Sequence, residues 1–288
     1  MAILLRLVKL SVLPYGLLFR DRRPGAIILI YHRIGGGTSS ESDLSRRVFA
    51  RQMAYLRAHY QLGSMGDIAR GQVAEGNRDM VVVTFDDGAQ DIYEHAFPIL
   101  RQYEIPATVY VTTRYVEEQR PFDFGGYARV SHKTMPLTWG QIGEMVASGL
   151  VTIGGHTHTH PDLTRLPAPE ILAELSRSRE LIADRLGKEP QHFAYPWARW
   201  TAHVREVVGQ YFDTAAAAGG GKNLPGTYDP LALQRRPIQQ SDGFWLFKLK
   251  LASFLDGEEY VRRIADGWRR TQFEGVDGKR WPLRRLSR

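Results

Sequence analysis

The segment Met80-Val81-Val82-Val83-Thr84-Phe85, followed at once by Asp86-Asp87-Gly88, constrains this chain more than any other stretch. A strand that is apolar residue after residue has no face to offer water, so it must be covered on both sides. Parallel sheets flanked by helices supply that cover, because each crossover lays a helix over a face of the sheet. The two carboxylates then fall just past the end of the strand. In β/α barrels that is the end that carries chemistry.

The rest of the chain alternates in the same way. AIILIY at 26–31 is a short apolar run between Gly25 and His32-Arg33, and it predicts a buried strand. Gly35-Gly36-Gly37 and the Ser-rich stretch to Ser45 read as a loop. Phe49, Met53, Leu56 and Tyr60 recur at helical spacing and predict a helix over 48–59. A helix over about 91–103 and a strand over 107–112 follow. Thr138 reads as the N-cap of a helix that runs to Ser148 and stops at Gly149. Strands are expected at 150–155, 192–196, 212–218 and 232–238. Helices are expected over Pro169–Leu186 and near 201–210, with a mostly helical stretch over 244–268. About seven alternations with no repeat, low-complexity segment or linker predict one domain of parallel β/α type.

Two clusters carry chemistry. Adjacent carboxylates at a strand end repel each other unless something compensates, and a metal ion can take one as a ligand while the other stays free as a base. Asp-Asp-Gly also makes an ordinary turn with a helix N-cap, so this segment alone leaves both readings open. The second cluster is Gly155-His156-Thr157-His158-Thr159-His160, which holds three of the chain's nine histidines. It follows a strand and precedes Pro161, so it is a loop. His156 and His160 are spaced to turn inward together, and neutral imidazoles suit zinc and similar ions; His158 is free to point away. One carboxylate with two histidines leaves coordination positions open for water and substrate, as a catalytic metal requires.

Composition narrows the partners. The chain has no cysteine, which excludes disulfides, thiolate metal sites and a cysteine nucleophile. Its net charge of +7 suits an anionic surface or glycan, but much of the excess lies at the ends, in Arg20, Arg22 and Arg23 and in Lys279, Arg280, Arg284, Arg285 and Arg288. Nucleic acid is therefore not expected as a partner. Residues 1–25 are apolar but carry Arg6 and Lys9, and the uncharged stretch Ser11–Phe19 is too short to span a bilayer. That segment reads either as amphipathic and membrane-surface-seeking or as a helix packed on the domain.

The two motifs in this order make the chain resemble the polysaccharide deacetylases, the NodB-homology or carbohydrate esterase family 4 group, over roughly residues 26–240. Thr84 to Gly88 match the first motif, and His156 to His160 match the second, His-Ser/Thr-x-x-His. ILIYHRI at 28–34 and the FARQMAYL helix are similar to the biofilm-polysaccharide branch. The resemblance implies a deformed (β/α)7 barrel over residues 26–270, preceded by the segment 1–25 and followed by a basic tail at 271–288. It implies Asp86 as base and Asp87, His156 and His160 as ligands of a divalent ion, Zn2+ or else Co2+ or Ni2+. Thr157 would orient a ligand from behind. The implied reaction is attack of activated water on the acetyl carbonyl of an N-acetylated glycan or glycoconjugate, with the oxyanion held by the metal and a backbone N–H.

Two departures stand out. The third motif normally places an Arg to hold the base aspartate, but here the stretch is Phe193-Ala194-Tyr195-Pro196-Trp197, with Ala194 in the Arg position. Arg235 is the candidate replacement, with Arg236 and Arg199 behind it. Tyr195, Pro196 and Trp197 are candidate substrate-binding residues, the two aromatics forming a wall for the acetyl methyl or a sugar face. The late His that serves as general acid is also missing, since no His follows His203. His32, directly after the first strand, is the candidate acid. These departures leave room for a non-sugar C–N bond, a lipid-linked sugar amide or an inactive glycan-binding relative. With no cleavable signal evident, a cytoplasmic or peripheral-membrane location is expected.

Overall fold

A computed structural model describes residues 6, 9–35, 37–125, 127 and 134–258. The expected helix beyond 258, the boundary near 270 and the basic tail 271–288 lie outside the described residues, as do residues 1–5 and 7–8 of the N-terminal segment.

Seven parallel strands form a closed barrel: β1 (Ala26–Tyr31), β2 (Arg78–Phe85), β3 (Ala107–Val111), β4 (Val151–Gly155), β5 (His192–Ala194), β6 (Thr214–Ala218) and β7 (Leu233–Pro237). β1 closes the ring by pairing with β2 on one edge and β7 on the other. The closure is uneven. β3 and β4 share five register pairs from Ala107↔Val151 to Val111↔Gly155, whereas β4 and β5 meet only at Gly155↔Phe193. The other edge of β2 is divided between two partners. A short strand, Gln61–Gly63, pairs with Met80–Val82, and β3 takes Val83–Phe85. That short strand was not expected from the sequence, because three residues are too few to show a period.

Alternation along the strands separates two cores. Ile27, Leu29, Tyr31, Val81, Val83, Phe85, Val109 and Ile153 face outward and pack with Phe49, Met53, Leu56, Ile99, Leu100, Ile142 and Met145 of the surrounding helices. Ala26, Ile28, Met80, Val82, Ala216 and Leu233 face inward, where Met65, Ile68 and Val73 plug the bottom of the barrel. Both faces of β2 are thus filled, which is why its sequence shows no polar alternation. Higher in the barrel the inward positions turn polar, with Thr84, Thr108, Tyr110 and Arg235 all buried.

The helices follow local chemistry. Arg46–His59 starts at Ser45, whose side chain accepts the Val48 N–H, and Trp139–Ala147 starts in a capping box of Thr138 and Gln141. Ala168–Leu186 stops at Gly187, whose φ of 68° is left-handed. The expected helix over 91–103 divides into a π turn, Ile92–Ala96, and an α-helix, Phe97–Tyr103. Pro98 has no N–H to give the preceding turn, and the helix widens there. Thr113–Glu118 adds a further helical turn after β3. The N-terminal segment forms a helix over Leu13–Phe19, joined to Gly243–Leu251 through Val12, Leu246 and Leu255. No helix among the described residues is long and apolar enough to cross a membrane.

His192, on β5, is 2% exposed, and its Nδ1 lies 2.9 Å from the Thr214 hydroxyl. Burial pushes its pKa down to about 4. The fold therefore holds this imidazole neutral, while the unfolded chain protonates it near 6.5. Its contribution is fully present above pH 6.5 and is lost as pH falls toward 4. The loss amounts to about 3 kcal/mol at most, at ~1.4 kcal/mol per pKa unit. Urea unfolding of wild type and His192→Asn across this window is expected to give curves whose difference narrows toward acid pH. Parallel curves would refute the assignment.

Candidate active site

The site forms at the C-terminal rim because the ladders carry on past the strand ends. The Asp86 N–H donates to the Tyr31 carbonyl at 2.9 Å, and the His156 N–H donates to the Val111 carbonyl at 3.1 Å. Successive strand residues point to opposite faces. Phe85 faces the outer core, so Asp86 turns inward. Asp87 would then point out, but its φ of 70° breaks the alternation, and Gly88 follows at 81°. Both carboxylates reach the same cavity and are buried, at 5% and 3% exposure. Eight described non-glycine residues have positive φ, and five of them, Asp87, Thr157, His160, Trp197 and Ala198, lie on these rim loops. Strained backbone is thus concentrated where side-chain aim matters.

Asp87, His156 and His160 come together as a buried group whose ligand atoms all lie within 4.8 Å of one another. Each Nε2 is 3.4 Å from Asp87 Oδ1. That is long for an N–H···O bond, which prefers about 2.7–3.2 Å. It matches the edge of a tetrahedron about an ion with ligand bonds of roughly 2.0–2.2 Å. The donor atoms are also correctly presented. His156 Nδ1 lies 2.8 Å from the Ala194 carbonyl, which is satisfied by an Nδ1–H and leaves the Nε2 lone pair facing Asp87. The residues therefore fit a divalent ion.

Three residues hold this group in place. The Thr157 hydroxyl donates to the His156 carbonyl at 2.5 Å and accepts the His160 N–H at 3.0 Å, clipping the loop between the two imidazoles. Glu174 accepts the N–H groups of His158 and Thr159 and the Thr159 hydroxyl, at 2.7–2.9 Å. The Tyr127 hydroxyl donates to Asp87 Oδ2 at 2.8 Å, leaving Oδ1 to face the histidines. Glu174 and Tyr127 were not singled out from the sequence, since each lies far along the chain in an unremarkable helix or loop. His158 turns away from the group, and its Nδ1 lies 3.0 Å from the Thr113 hydroxyl.

The Arg235 guanidinium grips Asp86 side-on, Nη1 to Oδ1 at 2.7 Å and Nη2 to Oδ2 at 2.8 Å. Nη1 also reaches the Thr84 hydroxyl at 3.2 Å, and the guanidinium carbon lies 5.3 Å from the Tyr110 ring centre. Burial pushes the Asp86 carboxyl up, but Arg235 and then His156 more than offset it, and its pKa lies below the usual range. Burial likewise opposes the Arg235 charge, and Asp86 restores it. Arg236 faces the other side of β7, where it donates to the Gly220 carbonyl at 2.7 Å and the Ser253 hydroxyl at 2.8 Å. Arg199 pairs with Asp162. Neither of these two reaches Asp86.

His32 is half-buried directly after β1, near enough to draw down the pKa of both aspartates. It makes no hydrogen bond to a described residue. Trp197, 44% exposed, sits edge-on to His160 with ring centres 5.0 Å apart, and Phe124 stacks on the same imidazole at 3.9 Å. The expectation for Tyr195 does not survive, because its ring is buried among Phe193, Val204 and Val208 and its hydroxyl donates to the Leu231 carbonyl. Strand alternation sends Tyr195 outward with Phe193. Pro196 is buried and opens the turn that presents Trp197.

Comparison with known proteins agrees with this geometry. The polysaccharide deacetylase family model matches residues 74–212, which include both motifs. The Bacillus subtilis (strain 168) protein YxkH, named for the polysaccharide deacetylases, is 26% identical over 207 residues, 70% of this chain and 68% of that protein. The poly-beta-1,6-N-acetyl-D-glucosamine N-deacetylase of Staphylococcus aureus (strain MRSA252) is 31% identical over 125 residues, 41% of this chain and 40% of that protein. Among solved structures, IcaB from Ammonifex degensii superposes with a TM-score of 0.67 at 26% identity, covering 82% of this chain and 100% of that one. The motifs, the seven-stranded barrel and these relatives agree: residues 74–212 of the chain match the polysaccharide deacetylase family, and the fold around them is that of its solved relatives.

Proposed function

We propose that this chain is a divalent-metal-dependent hydrolase that removes the N-acetyl group from an amino-sugar glycan or glycoconjugate. The observation that carries the reading is the buried Asp87–His156–His160 group with a second buried carboxylate, Asp86, beside it. The name of the Staphylococcus relative supports a polymer of N-acetylglucosamine type as substrate. Zn2+ suits the one-carboxylate, two-imidazole donor set, and Co2+ or Ni2+ could replace it.

Bound there, the ion would acidify a water and polarise the acetyl carbonyl. Asp86 takes the proton of that water. Arg235 keeps it ionised and fixes its plane, and carboxylate oxygens have lone pairs left after a side-on pairing. His32, on the same rim and with no hydrogen bond to a described residue, gives a proton to the departing nitrogen, so acetate and a free amine leave. Trp197 and Phe124 supply apolar walls beside His160 for the acetyl methyl or a sugar face. Tyr127 occupies Asp87 Oδ2 and leaves Oδ1 as the oxygen that would hold an ion.

Acetate release from N-acetylated chito-oligosaccharides is expected to require metal and to stop on chelation. Asp86→Asn is expected to lower the rate by about 10²–10⁴-fold with metal still bound, and His156→Ala to lose the metal. Release that persists in fully chelated protein would overturn the reading, and a chain that binds no metal would point to a glycan-binding relative.

Arg235→Met leaves a buried carboxylate without its partner and is expected to cost about 3–5 kcal/mol in denaturant unfolding. An unchanged midpoint would show that the pair does not hold the barrel interior together.

Tyr127→Phe and Glu174→Gln are each expected to weaken metal binding by about 10–100-fold in chelator competition. Unchanged affinity in both would show that the three-residue group is held without this support.

A further inference from the structure

The N-terminal segment is anchored by a buried charge and leaves leucines in water. A surface helix normally buries its apolar stripe and gives its charges to water. Here Lys9, on the turn that precedes Leu13–Phe19, goes in, while leucines of the segment come out. Lys9 is 1% exposed, 2.6 Å from Asp242 and 3.6 Å from Glu258, and Lys250 completes a balanced set at 2.9 and 3.1 Å from the same two carboxylates. Leu10, Leu17 and Leu18 are 38%, 63% and 77% exposed. On the helix packed against this one, Trp245 is 56% exposed. A buried ionic set is an expensive means of attaching a helix whose other face could have been buried instead. The arrangement fixes the leucines outward.

The chain on either side of this helix, and the helix packed against it, carry cations. Arg6, Arg22, Arg23 and Lys248 are exposed, and Arg20 lies over the Phe254 ring at 4.3 Å. Asp21, which pairs with Arg23, lies among them as an acid. We propose that the exposed Leu10, Leu17, Leu18 and Trp245, with the cations that flank them along the chain, form an interfacial docking surface for an anionic phospholipid bilayer. The leucines and the tryptophan enter the headgroup–acyl boundary while the cations meet lipid phosphates. A second copy would bring the two sets of cations together. The chain's own residues 259–288 carry nine Lys/Arg against four Asp/Glu and would meet the same repulsion. A bilayer satisfies both the apolar side chains and the cations that flank them.

Vesicle flotation of the full chain tests this. The chain is expected to float with phosphatidylglycerol-containing vesicles at low salt and much less with phosphatidylcholine alone. Leu17→Asp/Leu18→Asp is expected to lower partitioning by at least about tenfold, with thermal stability and activity on soluble oligosaccharides unchanged because both side chains point outward. In the unsubstituted chain, brominated acyl chains are expected to quench a component of tryptophan fluorescence that Trp245→Phe removes. Failure to float, flotation that survives the double substitution, or quenching unaffected by Trp245→Phe would overturn the proposal. So would a dimer in size-exclusion chromatography that the double substitution dissociates.

Discussion

The barrel encloses a charge. Arg235 stands inside the ring of strands at 1% exposure, with Asp86 as its side-on partner. A guanidinium in that position is tolerable only while a carboxylate neutralises it, and a carboxylate at 5% exposure is tolerable only while a cation answers it. The polar upper half of the interior is arranged around this need. Thr84 gives Arg235 its oxygen, the Tyr110 ring lies near its carbon, and the register Ile28↔Arg235 sets the guanidinium at the height of β2's end. The apolar lower half, from Ile28 to Met65, can then be packed without a charge in it. Interior and rim are one electrostatic problem with one solution.

That solution also explains how the chain departs from the third motif of the polysaccharide deacetylases it resembles and keeps the geometry. The position where an arginine was expected is Ala194, and its carbonyl, which any residue would supply, receives His156 Nδ1. The cation comes instead from β7, across the barrel, while Trp197 continues the same loop to the side of His160. The functions of the motif are divided among residues distant in sequence.

Much of this was legible in the sequence. The two-sided apolar character of β2 announced burial on both faces, and each local cluster, Asp86-Asp87 and His156 to His160, lies within one loop. Arg235 was named from the sequence, but its choice over Arg236, and the rest, depended on parity and register. Arg235 and Arg236 are neighbours in sequence, yet one faces the interior and the other the helix layer, and only the position of β7 against β1 decides between them. Tyr195 and Trp197 read as equivalent aromatics, but alternation buries the first and a left-handed φ of 59° presents the second. Tyr127 and Glu174 could not be singled out at all. A lone tyrosine or glutamate carries no pattern until the fold brings it to the site.

The join between β4 and β5 has a mechanical consequence. Elsewhere several backbone ladder rungs hold neighbouring strands, but here a single register pair does, and the His156 ring reaches across just above it to Ala194. The imidazole acts as a rivet through the weakest seam of the cylinder. When thermal motion parts these two strands, the same displacement swings Nε2 out of line with its partners. Breathing of the barrel wall at this seam and displacement of His156 within the Asp87–His156–His160 group are therefore one fluctuation, even though Thr157, Glu174 and Tyr127 hold the rest of the group.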